Sequence, residues 1–138
     1  MSRKKILLVD DEPSVLKTVT RRLQMNQYDV ITASDGLEGL DRAMVDKPDL
    51  IISDVMMPNM DGYTFVNKLR SKPNLAHIPV IILTAKDKMQ DLFLFQGIKH
   101  YDYIVKPFES DELLQKITQL LARVETYLGP DTPPVKNA

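Results

Sequence analysis

The stretch KILLVDDEPS, Lys5 to Ser14, joins the apolar run Ile6 to Val9 directly to the carboxylates Asp10, Asp11 and Glu12, and then to Pro13. A short, near-continuous apolar run is how a strand buried on both faces of a parallel sheet reads. The pattern recurs. Leu50 to Ser53 (LIIS) and Val80 to Leu83 (VIIL) are equally apolar, while Tyr28 to Ala33 (YDVITA) and Tyr103 to Val105 (YIV) are weaker strands of the same kind. Between them the apolar spacing turns helical. Leu16, Val19 and Leu23 share a face, as do Leu37, Leu40 and Met44, then Phe65, Val66 and Leu69, and finally Leu113, Ile117, Leu120 and Val124. Glu12 and Pro13 open the first helix, unless Asp11 caps it, and Ser110 is placed as N-cap of the last, with Asp111 and Glu112 in its first turn. Alternating strands and helices predict an α/β fold, an open five-stranded parallel sheet with helices on both faces and right-handed crossovers.

The bulk numbers narrow the function. A chain of 138 residues suits one domain with a substantial core, and the absence of cysteine excludes disulfides and thiolate metal sites while suiting a reducing cytoplasm. A net charge of -1 provides no bulk attraction to nucleic acid or to an anionic membrane. The start MSRKK is basic, but ILLV alone follows before Asp10, short of the roughly 7 to 15 apolar residues of a secretory signal. No stretch approaches the ~20 apolar residues of a membrane span. These features predict a soluble cytoplasmic protein that binds neither membrane nor, through this domain, nucleic acid. The domain is expected over 1–125, with 126–138 (TYLGPDTPPVKNA) as a proline-rich tail or the start of a linker.

In an open parallel sheet, ligands bind beyond the carboxyl ends of the strands. The residues following the apolar runs are Asp10 and Asp11, then Asp54, then Thr84, and after the weaker fifth strand Lys106. One edge thus gathers carboxylates, a hydroxyl and an ammonium from distant parts of the chain. Two carboxylates about 4 Å apart repel by roughly 4 kcal/mol at an effective dielectric near 20. A hard divalent cation relieves that repulsion, and Mg2+ favours carboxylates together with a phosphate oxygen. A carboxylate beside such a cation can be a nucleophile toward phosphorus. Singly, each residue has a plainer role: a cap for Asp11, a turn for Asp54 with Pro58 and Gly62, a strand-end hydroxyl for Thr84, a solvated charge for Lys106. Those roles leave their convergence on one edge unexplained.

VDDEP, the segment Asp54 to Gly62 (DVMMPNMDG), Thr84-Ala85 and Lys106-Pro107-Phe108 together resemble the receiver domain of two-component response regulators, over about Lys5 to Val124. The resemblance implies a flavodoxin-like, doubly wound sheet of strand order 2-1-3-4-5. It makes Asp54 the phosphoacceptor for a phosphohistidine of a sensor histidine kinase or phosphotransfer protein. Asp11, Asp54 and the Met56 carbonyl would ligate Mg2+, or Mn2+ in its place, with Asp10 acting through water. Lys106, Thr84 and Ala85 would stabilise the phosphoryl group, and the bond from Lys106 to Pro107 is often cis in the family. Thr84 and Tyr103 would form the switch, while Met56 and Lys86 tune dephosphorylation. The output partner or homodimer mate would meet the face of the fourth helix, fifth strand and last helix. Such a domain catalyses only its own phosphorylation and dephosphorylation. The alternatives are a pseudo-receiver serving as a binding module, and a flavin or nucleotide binder, which would want a Gly-rich phosphate loop where this chain has carboxylates.

Two features depart from the family pattern. Where receivers carry a small-residue turn before the switch aromatic, this chain has Lys99 to Asp102 (KHYD), so the fourth helix is expected to end early with Gly97 as its left-handed cap. That helix also contains Leu92 to Phe95 (LFLF), and no single helical face buries four consecutive residues, so at least one should be exposed. It is either a stray apolar side chain or a contact surface. His77 and His100 lack partners at metal-ligand spacing and read as loop residues. The methionines, Met56 and Met57 included, read as core fillers.

Overall fold

The computed structural model describes residues 3–128. Its elements run β1 (Lys5–Val9), α1 (Pro13–Met25), β2 (Asp29–Ala33), α2 (Gly36–Asp46), β3 (Leu50–Asp54), α3 (Gly62–Arg70), β4 (Val80–Ala85), a 3-10 segment (Lys86–Phe95), β5 (Tyr101–Lys106) and α4 (Ser110–Leu128). All strand pairs are parallel, in the order β2-β1-β3-β4-β5, as the flavodoxin-like reading requires.

Successive strand residues point to opposite faces, so each apolar run feeds two cores. Ile6, Leu8, Leu50, Ile52, Ile81 and Leu83 pack with Val19, Leu23, Leu113 and Ile117 of α1 and α4. Leu7, Val9, Ile51, Val80 and Ile82 pack on the other face with Phe65, Val66 and Leu69 of α3 and with Phe95. Full burial of such a side chain is worth about 1.5–3 kcal/mol, which is why the central strands carry almost nothing polar.

Four expectations are corrected. The buried face of α2 is Gly36, Gly39 and Ala43, whereas Leu37 and Met44 are exposed. The helix lies so close to its neighbours that a Cβ at Gly39 would meet Val9 Cγ2 at 3.0 Å and Phe65 at 3.3 Å. Small residues are selected there, and the leucine spacing misleads. Ser110 is the first residue of α4, and the N–H groups of Glu112 and Leu113 bond to the Glu109 carbonyl, so Glu109 occupies the capping position. That helix also continues through Leu128, three residues into the stretch expected to be tail, and 129–138 lie outside the described residues. Asp11 does not cap α1; Glu12 holds the N-cap position, followed by Pro13.

The expected fourth helix is the 3-10 segment, ending at Phe95. Its apolar residues Met89, Leu92 and Phe95 recur every third position, which matches three residues per turn and places them on one side. Phe95 is fully buried between Tyr63 (edge-on, centroids 5.6 Å apart) and Tyr101 (stacked, 5.5 Å). Phe93 and Leu94 face outward, 64% and 41% exposed, so LFLF divides between core and surface. Gly97 has φ +84, but as third residue of a turn: Gln96 is at φ -57, ψ 133 and the Ile98 N–H bonds to the Phe95 carbonyl at 3.0 Å. These are type II turn values, which demand glycine there.

Candidate functional site

Val9 pairs with Ser53, so Asp10 and Asp54, the next residues of the neighbouring strands, emerge side by side. Asp54 pairs with Leu83, and the β4–β5 register sets Thr84 beside Val105 and Ala85 beside Lys106. Asp10, Asp54, Thr84 and Lys106 therefore do meet at one edge. Lys106 Nζ lies 3.0 Å from Asp54 Oδ2, 3.3 Å from Asp10 Oδ2 and 3.4 Å from Glu12 Oε1. The Asp10 side chain is inaccessible to solvent and that of Asp54 is 13% exposed, whereas Glu12 is open at 58%. The peptide between Lys106 and Pro107 is cis.

Backbone donors aim the carboxylates. Asp10 Oδ1 accepts from the Glu12 N–H at 2.9 Å, and Asp54 Oδ1 accepts from the Met56 N–H at 3.2 Å. Burial pushes the Asp10 carboxyl above its usual range, and the Glu12 N–H and Lys106 charge offset this in part. For Lys106, burial disfavours the charge, but hydrogen bonding and attraction from Asp54, then Asp10, outweigh it and raise its pKa.

Carboxylate oxygens of Asp10, Glu12 and Asp54 lie within 4.8 Å of one another, the grouping among the described residues able to hold a metal ion. With one ammonium among them the cluster stays net negative, and an all-oxygen donor set of this kind fits a hard divalent cation. Glu12, read from sequence as a helix opener alone, belongs to the cluster. Asp11 is exposed and lies outside it. The chain bends at Asp11, and the residues flanking the bend, Asp10 and Glu12, are the ones that reach Lys106.

Thr84 is fully buried, its hydroxyl donating to the Ala85 carbonyl at 3.3 Å. Tyr103 is 37% exposed, with Lys116 Nζ 5.3 Å from its ring centroid. Lys116 also bonds Asp102 Oδ1 at 3.1 Å and the Tyr103 carbonyl at 3.0 Å. Met56, expected in the core, is 54% exposed, because the loop after β3 folds its N–H back onto Asp54; Met57 does pack against the core. Lys86 is exposed at the start of the 3-10 segment. Neither His77 nor His100 joins the metal-capable group. His100 sits at φ +61, its pKa lowered by burial and by Arg70, Lys99 and His77.

Sequence reading missed Arg70. Its guanidinium donates to the Lys99 carbonyl at 2.9 and 3.1 Å and to the His100 carbonyl at 3.1 Å, tying α3 to the KHYD turn, and burial lowers its pKa to about 10. It also missed the bond from Asn59 Nδ2 to Asp35 Oδ2 at 2.7 Å. The capping of α2 was legible in SDGLE, Ser34 to Glu38, but its link to Asn59 was not.

Carboxylates and a lysine at the carboxyl edge of a 2-1-3-4-5 sheet define a phosphoacceptor class, and the chain belongs to the response regulator receiver domain family, whose pattern it matches over residues 6–118. It is 43% identical over 122 residues to the alkaline phosphatase synthesis transcriptional regulatory protein PhoP of Bacillus subtilis, covering 88% of this chain and 50% of that protein. It is 39% identical over 121 residues to the DNA-binding dual master transcriptional regulator RpaA of Synechocystis, with 88% and 50% covered. The chain spans about half the length of the curated relatives it matches. Among solved structures, the chemotaxis response regulator CheY4 of Vibrio cholerae superposes with TM-score 0.80 at 34% identity, covering 86% of this chain and 99% of that one. The receiver domain of sensor histidine kinase PA1611 from Pseudomonas aeruginosa, described with a magnesium ion in its active-site cleft, gives TM-score 0.79 at 29% identity, covering 88% and 99%. No helix among the described residues is long and apolar enough to cross a membrane.

Proposed function

We propose that the domain is a cytoplasmic signalling switch that takes a phosphoryl group onto Asp54 from a phosphohistidine of a sensor kinase or phosphotransfer protein, in the presence of Mg2+. The observation that carries this is the meeting of Lys106 with Asp54 and Asp10 at 3.0 and 3.3 Å on the ligand-binding edge. An Asp54 carboxylate oxygen would attack phosphorus as the bond from phosphorus to the donor imidazole nitrogen breaks, the imidazole taking up a proton. Asp54 and the Met56 carbonyl would hold Mg2+, joined by Asp11 once its exposed side chain turns in, with Asp10 acting through water, and Glu12 lies close enough to contribute. The cation supplies charge neutralisation between the acceptor carboxylates and the phosphoryl oxygens. Lys106 would bind a phosphoryl oxygen, leaving its present partners, with Ala85 beside it in register and Thr84 turning its hydroxyl toward the group.

Phosphorylation turns the Asp54 carboxylate into an acyl phosphate carrying about -1.5 to -2 of charge, roughly half to one unit more than the carboxylate it replaces. Thr84 would follow that charge and Tyr103 would turn inward from its exposed position, reshaping the face made by the 3-10 segment, β5 and α4, where an output partner or second copy would dock. Met56 and Lys86, exposed near the edge, would set the rate of phosphoryl loss, the domain's only catalysis being its own phosphorylation and dephosphorylation. Labelling by acetyl phosphate, read by intact mass, tests this. The wild type should gain one phosphoryl group and Asp54→Asn none; equal labelling of that variant defeats the assignment.

A further inference from the structure

We propose that Asn59 and Asp35 form a latch that positions the loop between β3 and α3, and through it the Met56 carbonyl, for cation binding; this rests on the receiver reading above. The loop makes a tight reversal in which the Met60 N–H bonds to the Pro58 carbonyl at 2.7 Å, with Asn59 between them at φ +69. Three-residue turns with positive φ are rare and strained, and a strained residue persists where its surroundings hold it. Asparagine tolerates this conformation better than most side chains.

What holds it is a contact from the far side of the site. Asn59 Nδ2 donates to Asp35 Oδ2 at 2.7 Å, while Asp35 Oδ1 caps α2 by accepting from the Glu38 N–H at 2.8 Å. Both oxygens of one carboxylate are thus engaged by fixed donors. The same loop touches α2 again, because a Cβ on Gly36 would lie 2.6 Å from the Met60 carbonyl oxygen. At its other end the Gly62 N–H bonds to the Val55 carbonyl at 2.7 Å. Anchored at Val55, at Asn59 and at Met60, the loop leaves Met56 little freedom, and its N–H is directed at Asp54. Asn59 and Asp35 would touch neither cation nor phosphoryl group. They are positioning residues, setting where a backbone oxygen stands.

The test compares Asn59→Gly, which removes the amide without straining the turn, with Asp35→Ser, which removes its partner but keeps a good cap and leaves the loop sequence intact. Mg2+ affinity is measured by calorimetry with MgCl2 alone, folding by urea titration, and the acetyl phosphate rate at low and saturating Mg2+. Each variant should weaken Mg2+ binding by about tenfold, the size typical of losing an outer partner of a metal site. The double variant should bind no more weakly than either single one, and Asp35→Asn, whose oxygen can keep the cap while its NH2 donates to the Asn59 amide oxygen after that amide turns over, should restore near wild-type affinity. Phosphorylation should fall at low Mg2+ and recover at saturation. Wild-type affinity in both single variants, or losses that multiply in the double, overturns the latch. If the wild type itself neither binds Mg2+ nor accepts a phosphoryl group at Asp54, the receiver reading fails; if it does both and the variants match it, the latch alone fails.

Discussion

Replacing Lys106 by methionine keeps a side chain of similar reach and removes the ammonium set 3.3, 3.4 and 3.0 Å from Asp10, Glu12 and Asp54. At an effective dielectric near 20, each pair of unit charges at such distances attracts by roughly 5 kcal/mol before desolvation is subtracted. Breaking a fully buried pair on one side is destabilising by about 3–5 kcal/mol. Lys106 is 21% exposed and Glu12 open to solvent. Discounting for that screening, the variant should lose about 2–3 kcal/mol at pH 7 without divalent cations. With m of about 1–3 kcal/mol/M, the urea midpoint should fall by roughly 0.7–3 M, about 1–1.5 M at the middle of that range.

The loss should depend on pH with a definite sign. Burial already raises the Asp10 pKa, and the Lys106 charge opposes that rise. Without Lys106 the folded pKa lies further above the unfolded one, so in the window between them the folded state binds more protons and stability falls as pH rises. The gap between variant and wild type should therefore be largest at pH 7 and narrow as pH falls toward the ordinary carboxylate range. Millimolar Mg2+ should narrow it at pH 7 as well, by neutralising the same carboxylates. Far-UV circular dichroism under urea at both pH values, with and without MgCl2, measures all three. A midpoint loss that is equal in every condition would refute the electrostatic account and make Lys106 a packing residue.

Other perturbations probe the scaffold. Gly36→Ala forces a methyl against the Met60 carbonyl, 2.6 Å away, and should destabilise by about 1–3 kcal/mol in urea while weakening Mg2+ binding through the loop. Phe95→Ala removes the ring between Tyr63 and Tyr101 and should lower stability by about 3–5 kcal/mol, with amide exchange rising first across the 3-10 segment. Arg70→Met strips the guanidinium from the Lys99 and His100 carbonyls and should lose about 2–4 kcal/mol, and Arg70→Lys should recover only part because an ammonium lacks the fork that spans both.

The sheet was readable because strands buried on two faces must be apolar at nearly every position, which leaves Ile6 to Val9, Leu50 to Ile52 and Val80 to Leu83 little else to be, with polar residues only at the run ends Lys5 and Ser53. The phosphoacceptor edge was readable for a related reason: in such a sheet the first polar residue past each run marks the same edge, so Asp10, Asp54, Thr84 and Lys106 declare their convergence strand by strand. Helix α2 shows where that logic stops. Hydropathy points to Leu37 and Met44, but close packing chose Gly36, Gly39 and Ala43, and the distance between two elements is not written in either one.

The chain's local pattern by itself determined the element order, the strand faces and the identity of the acidic edge, since all three follow from periodicity and from what a buried strand excludes. Tertiary structure alone decided which acids draw together and what holds them. A bend at Asp11 left Glu12 rather than Asp11 beside Lys106. Asn59 found Asp35 across 24 residues and Arg70 found Lys99 across 29. A hydrogen bond between distant residues needs only one donor and one acceptor, so it leaves no periodic trace in sequence, and it exists only once packing has fixed the two ends within reach.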